Sequence, residues 1–248
     1  MKVILRCVMA LTLCAVEAAL AVDPAVNVLI DAIRERRTDN VTAMLVANPK
    51  LAGTPDALGA SAVHYAAACG DKRILQAVLA TRPDVDRKDR SGRTPLFYAC
   101  DQTLLDNMTM LIANRAHVNV VDARGMTPLL IVCEKGKPQM AQALIAAGAN
   151  IAAANPQGMN AILFAGVRGN EKLARLLIAS GVNVQSVDLE GNTALHYAAR
   201  GDHRALIKVF PMLMNVKNKA GHTPMNVAGM AGYTKFVQEM VKFGARAN

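Results

Sequence analysis

The sequence has no tryptophan, four tyrosines and five phenylalanines, and only 19% of its residues are charged. Large aromatic rings dominate the interior of a thick globule. Their scarcity points instead to thin layers of small aliphatic side chains. The low charge, set against a hydrophobic fraction of 52%, excludes a disordered chain. Catalytic signatures are missing too. There is no HExxH, no CxxC pair and no phosphate-binding loop ending in Lys-Ser/Thr. No catalytic residue, cofactor or metal site is therefore expected, and the chain reads as non-enzymatic. An apolar run of about 20 residues, the length a membrane-spanning helix needs, is also missing.

What is present begins at the N-terminus. Lys2 and Arg6 precede the mostly apolar stretch Cys7–Val16, and Ala19-Leu20-Ala21 has the small-x-small pattern of a cleavage site. The reading is a signal peptide over residues 1–21, with the mature protein starting at Val22 and residing in the periplasm or outside the cell. The alternative is an uncleaved, buried N-terminal helix on a cytoplasmic scaffold. Leu13 is too bulky to precede a lipid-bearing Cys14. Three cysteines remain in the mature chain, Cys69, Cys100 and Cys133, an odd number that argues against a disulfide framework. Net charge is +9, which suits an acidic partner or an anionic surface. The basic residues are scattered along the chain, which speaks against nucleic acid.

The dominant feature is a period. Similar phrases start at Gly59, Gly92, Gly125, Gly158, Gly191 and Gly221, with steps of 33, 33, 33, 33 and 30 residues. A fixed step of this size signals stacked units. Three residues before each glycine stands Asp or Asn (Asp56, Asp89, Asp122, Asn155, Asp188, Asn218), the chemistry of a tight turn. Thr94-Pro95, Thr127-Pro128 and Thr223-Pro224 then place a hydroxyl at a helix N-cap and proline at the first helical position. Small residues such as Ala66-Ala67, Ala99-Cys100 and Ala198-Ala199 let neighbouring helices approach. Gly70, Gly136, Gly169 and Gly232 are suited to a left-handed helix stop. A second helix follows, with apolar residues at helical spacing, as in Leu173, Leu176 and Leu177.

On these residues the chain resembles the ankyrin-repeat family. "GRTPLFYAC", "GMTPLLIVC", "GNTALHYAA" and "GHTPMNVAG" match its Thr-Pro-Leu-His-x-Ala phrase, and "GANI" and "GVNV" its closing phrase. The resemblance covers residues 59–248 and, more weakly, 24–58. It implies an all-α solenoid of about seven helix-turn-helix units with projecting β-turn loops, forming one domain over 22–248. Residues 22–58 form a degenerate N-terminal cap, and repeats start near 59, 92, 125, 158 and 191. Residues 221–248 close the stack, with Lys235, Gln238, Glu239 and Lys242 as a polar outer face. The unit from Gly191 is three residues short, and Pro211 is expected to end its second helix early.

The same resemblance makes His64 and His196 loop-bracing side chains, too far apart to share a metal. Cys100 and Cys133 occupy equivalent positions about 8–10 Å apart, beyond the reach of a disulfide. Cys69 is expected nearer the surface. Asn40 and Asn107 begin glycosylation sequons.

A solenoid binds on its concave side. By resemblance that side is lined by turn tips and by the exposed faces of the first helices. Candidate contacts on the tips are Arg90, Arg93, Arg124, Met126 and Met159. On the helices they are Tyr65, Tyr98, Ile131, Phe164, Arg168, Tyr197 and Arg200. Neighbouring positions Asp101, Glu134 and Lys135 face the same way. The ladder Tyr65, Tyr98, Ile131, Phe164, Tyr197 is read either as interface or as packing between helices. Arg90, Arg93 and Arg124 have no evident core role. The expected function is a monomeric scaffold that binds one acidic protein in the periplasm to inhibit or protect it, as an immunity protein against a delivered toxin or lipase. The alternatives are an accessory protein supporting a periplasmic enzyme such as a catalase, and a charge-driven binder of the envelope surface.

Overall fold

The computed structural model describes residues 23–245, so the expected leader over 1–21 lies outside the described residues. Each unit contributes an inner helix, and all but the sixth contribute an outer one. The inner row comprises α1 (Pro24–Arg34), α3 (Ala62–Ala68), α5 (Pro95–Asp101), α7 (Pro128–Glu134), α9 (Ala161–Arg168), α11 (Ala194–Arg200) and α12 (Pro224–Met230). The outer row comprises α2 (Thr38–Ala47), α4 (Lys72–Ala80), α6 (Leu105–Ala113), α8 (Pro138–Ala146), α10 (Glu171–Ala179) and α13 (Thr234–Lys242). Inner and outer helices pack on each other within a unit, and each row packs on the equivalent helix of the next unit, except that the outer row is interrupted at the sixth.

The turns form as their residue types dictate. The Asp89 carboxylate accepts the amides of Ser91 at 2.8 Å and Arg93 at 2.9 Å, and Gly92 adopts φ +75°. Inner helices then start at a polar N-cap. Thr127 Oγ1 accepts the Leu130 amide, and Asn160 Oδ1 accepts the Leu163 amide. Burial of the apolar faces supplies the stabilisation, roughly 25 cal/mol per Å² removed from water.

Helix stops depart from expectation. Gly136, Gly169 and Gly232 take the left-handed conformation, but Gly70 does not. α3 ends at Ala68, and Cys69 is already extended. Its carbonyls are satisfied from the next unit, where buried Asn107 Nδ2 donates to Ala66 O (3.3 Å), Ala67 O (3.1 Å) and Cys69 O (2.7 Å). Asn107 is therefore a cap rather than an accessible sequon. Conversely, Thr103 (φ 57°) and Asp202 (φ 53°) occupy the left-handed stop without glycine.

Unit six is the larger departure. Two 3₁₀ turns, Arg204–Ile207 and Pro211–Leu213, replace its outer helix altogether. The three-residue deletion removes the length a helix needs. Pro211 removes a donor and its ring obstructs the preceding turn. The inner row is continuous and packs more closely than the outer, which curves the stack with the inner helices on the concave side. At the tightest point, a Cβ added to Gly166 would lie 2.3 Å from Ala194 O.

Candidate protein-binding surface

The aromatic ladder has a specific internal chemistry. Nine residues after the turn aspartate, the Tyr65 hydroxyl donates to Asp56 Oδ2 at 2.6 Å and the Tyr98 hydroxyl to Asp89 Oδ2 at 2.9 Å. Tyr197 donates to Asp188 in the same way. Each ring also carries a cation, with Arg34 4.8 Å, Arg93 5.2 Å and Arg200 5.5 Å from the respective centroids. Burial, reinforced by the Asp56 bond, pushes the Tyr65 hydroxyl up to about 12. Burial also raises Tyr98 and Tyr197. Asp188 is pushed up by burial, but the bonds from Tyr197 and Asn192 outweigh this and hold its carboxyl below the usual range. These tyrosines thus bolt the turns to the inner helices and expose only part of each ring.

Where the ladder lacks a hydroxyl, the side chain packs. Ile131 is 1% exposed and Phe164 7%, so neither faces a partner. Met126 is 5% exposed and receives the Asn155 amide at its sulfur, which corrects its reading as an exposed tip. Met159 is half-buried and packs against the core. The exposed apolar tip residues are instead Leu58 and Leu189, one or two positions before the turn glycine. Sequence reasoning missed them because the tip turn's outward positions differ by one residue.

Arg93 is not free either. Its guanidinium bonds Asp101 at 3.1 Å and stacks near Phe97 and Tyr98. Asp101 also receives Lys135 Nζ at 2.8 Å. Burial raises the Asp101 carboxyl, but Lys135 and Arg93 more than offset it and hold the group ionised below the ordinary range. Arg124 is exposed and leans on Asp122 at 3.4 Å, while Arg168 Nε donates to Glu134 O. Arg90 is exposed at its tip. The structure gathers Arg93, Asp101, Arg124, Glu134 and Lys135 around one hollow of about 400 Å³ between the third and fourth units. Tyr65 and Tyr98 lie together to one side of it, with ring centroids 6.4 Å apart, whereas Tyr197 and Arg200 sit in the sixth unit.

His64 and His196 are braces, as expected. His64 Nδ1 accepts the Ser61 amide at 3.0 Å, and its Nε2 donates to Arg93 O at 3.2 Å in the next unit. His196 repeats this with Thr193 and His222 O. Both rings are neutral, and burial holds their pKa below the ordinary value. All three described cysteines are free and buried. Burial pushes the Cys133 thiol up to about 12 and raises Cys100 as well. Cys69 is also buried, its thiol against Ile33 O at 3.7 Å, contrary to the expected surface position. Among the described residues no cluster of His, Cys, Asp or Glu is placed to hold a metal, and no helix is long and apolar enough to cross a membrane.

A search of curated protein sequences finds no match. Among solved structures 573 chains match, so the fold by itself does not select a partner. One of them belongs to the complex of the predatory endopeptidase Bd0816 from Bdellovibrio bacteriovorus with the immunity protein Bd3460. It is 26% identical with a TM-score of 0.68, and the match covers 74% of this chain and 98% of that one. The family model for ankyrin repeats matches three times in overlapping stretches, over residues 29–122, 104–188 and 167–248. With an inner helix row, an outer helix row and projecting turns in that register, this protein belongs to the ankyrin-repeat family and is built as a scaffold for binding protein.

Proposed function

We propose that the chain seats one specific protein on its concave face and blocks or shields it, as an immunity protein does. The observation that carries this reading is the likeness to a chain of the endopeptidase–immunity protein complex, which extends over nearly the whole of that chain. The target proposed is a hydrolase delivered into the compartment that holds this protein. The N-terminal pattern of Lys2, Arg6, Cys7–Val16 and Ala19-Leu20-Ala21 supports export to the periplasm. The site chemistry fits binding rather than turnover, since the aspartates of the face, Asp56, Asp89, Asp101, Asp122 and Asp188, are engaged in turns and bridges.

Affinity capture from envelope and secreted fractions of the host and its neighbours tests this. The expected result is one stoichiometric partner whose hydrolytic activity falls to baseline at one equivalent of added chain. A partner whose activity is unchanged or enhanced would sink the inhibitory reading. Intact-mass analysis of the host's own protein should give a chain starting at Val22; an uncleaved N-terminus would remove the periplasmic assignment.

A further inference from the structure

At four of the five junctions between successive turn tips, one backbone hydrogen bond links the two turns. Arg90 N donates to Leu58 O at 2.9 Å, Ala123 N to Ser91 O at 2.9 Å, Leu189 N to Gln157 O at 3.2 Å and Lys219 N to Glu190 O at 2.9 Å. The remaining junction pairs Arg124 O with residue 156, which is proline and has no N–H to give. The two turns still touch, because a Cβ on Gly125 would lie 2.3 Å from Pro156 Cδ. The Arg124 carbonyl is thus left without the donor that the Leu58, Ser91, Gln157 and Glu190 carbonyls receive at the other four junctions.

This open acceptor adjoins cations that are fixed but not saturated. Arg124 is oriented by Asp122, Lys135 by Asp101, and Arg168 by Glu134 O. Each keeps N–H donors with no protein acceptor. The turn carboxylate Asp122, by contrast, already accepts the Arg124 and Met126 amides. Holding the cations in place beforehand lowers the entropy cost of engaging a ligand, and guanidinium groups pair carboxylates in well-defined geometry.

We propose that the junction of the third, fourth and fifth units is where the partner docks an extended acidic segment. A main-chain N–H of that segment fills the Arg124 carbonyl, and its Asp or Glu side chains pair with Arg124, Lys135 and Arg168. The inference rests on the binding-scaffold reading and adds the position and chemistry of contact.

The test needs no identified partner. N-acetylated, C-amidated tetraglutamate is titrated into the purified chain and followed by NMR at the Arg124 and Arg168 Nε–H signals and the 124–126 amides. Saturable shifts are expected there, with none from the tetraglutamine control and none at the exposed Arg175. Arg124→Gln and Lys135→Met should each weaken binding about tenfold, as loss of a hydrogen bond to a charged group does. Pro156→Ala supplies the missing N–H, so exchange protection should appear at position 156 and affinity should fall about fivefold. Equal shifts at Arg175, or full affinity in the Arg124→Gln and Pro156→Ala variants, would overturn the proposal. Capture outcomes separate the two ideas. A partner held equally well by Arg124→Gln/Lys135→Met bait overturns this contact but not the function, whereas saturable peptide binding with no inhibited partner overturns the function but not this contact.

Discussion

At the scale of single residues, the repeat supplies its own controls, because one position recurs in different chemistries. The third residue of the inner helix is His64, Phe97, Leu130, Leu163, His196 or Asn226 from the second unit to the last. Where it is His or Asn it accepts the N-cap amide, at 2.9 Å for Thr223 N on Asn226 Oδ1. Where it is Phe97 the cap hydroxyl, Thr94 Oγ1, is buried without a partner. Thr94→Val should therefore be neutral or stabilising, while Thr193→Val should cost about 1 kcal/mol; urea midpoints of the two variants decide. The left-handed Thr103 carries a β-branched side chain in a conformation that costs such residues about 1–2 kcal/mol, so Thr103→Gly should raise the midpoint. The histidine braces set a pH dependence. Their folded-state pKa lies below the unfolded 6.5, so their contribution is intact above pH 6.5 and is lost as pH falls through the folded value. His64→Asn/His196→Asn, copying the Asn226 cap, should flatten the stability profile between pH 7 and 5; an unchanged slope would mean other groups titrate there.

At the scale of elements, the units are tied by side chains that reach across the seams rather than by local propensity. After the eleven-residue α1, the inner helices span seven or eight residues, too short to stand alone in water. Asn107 closes α3 from the following unit, and removing it takes the side-chain donor from the Ala67 and Cys69 carbonyls, while Ala66 O keeps the Cys69 amide. Asn107→Ala should cost about 2–3 kcal/mol, well beyond an exposed-surface change, and thermal denaturation reads this directly. Gly166→Ala should be worse tolerated than Gly229→Ala, since the former meets Ala194 O and the latter meets nothing within 4 Å. The repeat period and the caps were legible in sequence for a physical reason: turns, N-caps and helix starts are decided by neighbours a few residues apart. The replacement of unit six's outer helix was only half legible. Pro211 announced a disturbance, but whether 3₁₀ turns or a shortened helix results depends on what α10 and α13 leave room for.

At the scale of the whole molecule, a solenoid's stability is close to a sum over units and their seams. The outer row is interrupted at unit six, so the seam there is held by the inner row and by contacts such as His203 Nε2 on Val167 O at 3.1 Å. Hydrogen exchange should find α12 and α13 opening at lower free energy than α7 to α9, with the 204–214 turns among the fastest-exchanging core segments. Uniform protection along the stack would show that the 3₁₀ turns couple as well as a helix does.

The sequence by itself determined the number of units, their register and the turn and cap chemistry, because each follows from short-range pattern repeated at a fixed step; the expectation of a binding scaffold came with the likeness of that pattern to the ankyrin-repeat family. Only the tertiary structure decided which members of one repeat position face outward. Tyr98 and Ile131 occupy equivalent places, yet one bolts a turn and shows part of its ring while the other is sealed, because the hydroxyl needs the turn carboxylate and the methyls need the neighbouring helix. Arg93 and Arg124 likewise look alike in the chain, but the fold engages the first with Asp101 and two rings and leaves the second with open donors. The unfilled carbonyl at Arg124 arises from a proline 32 positions away, a pairing that exists only once the units stack.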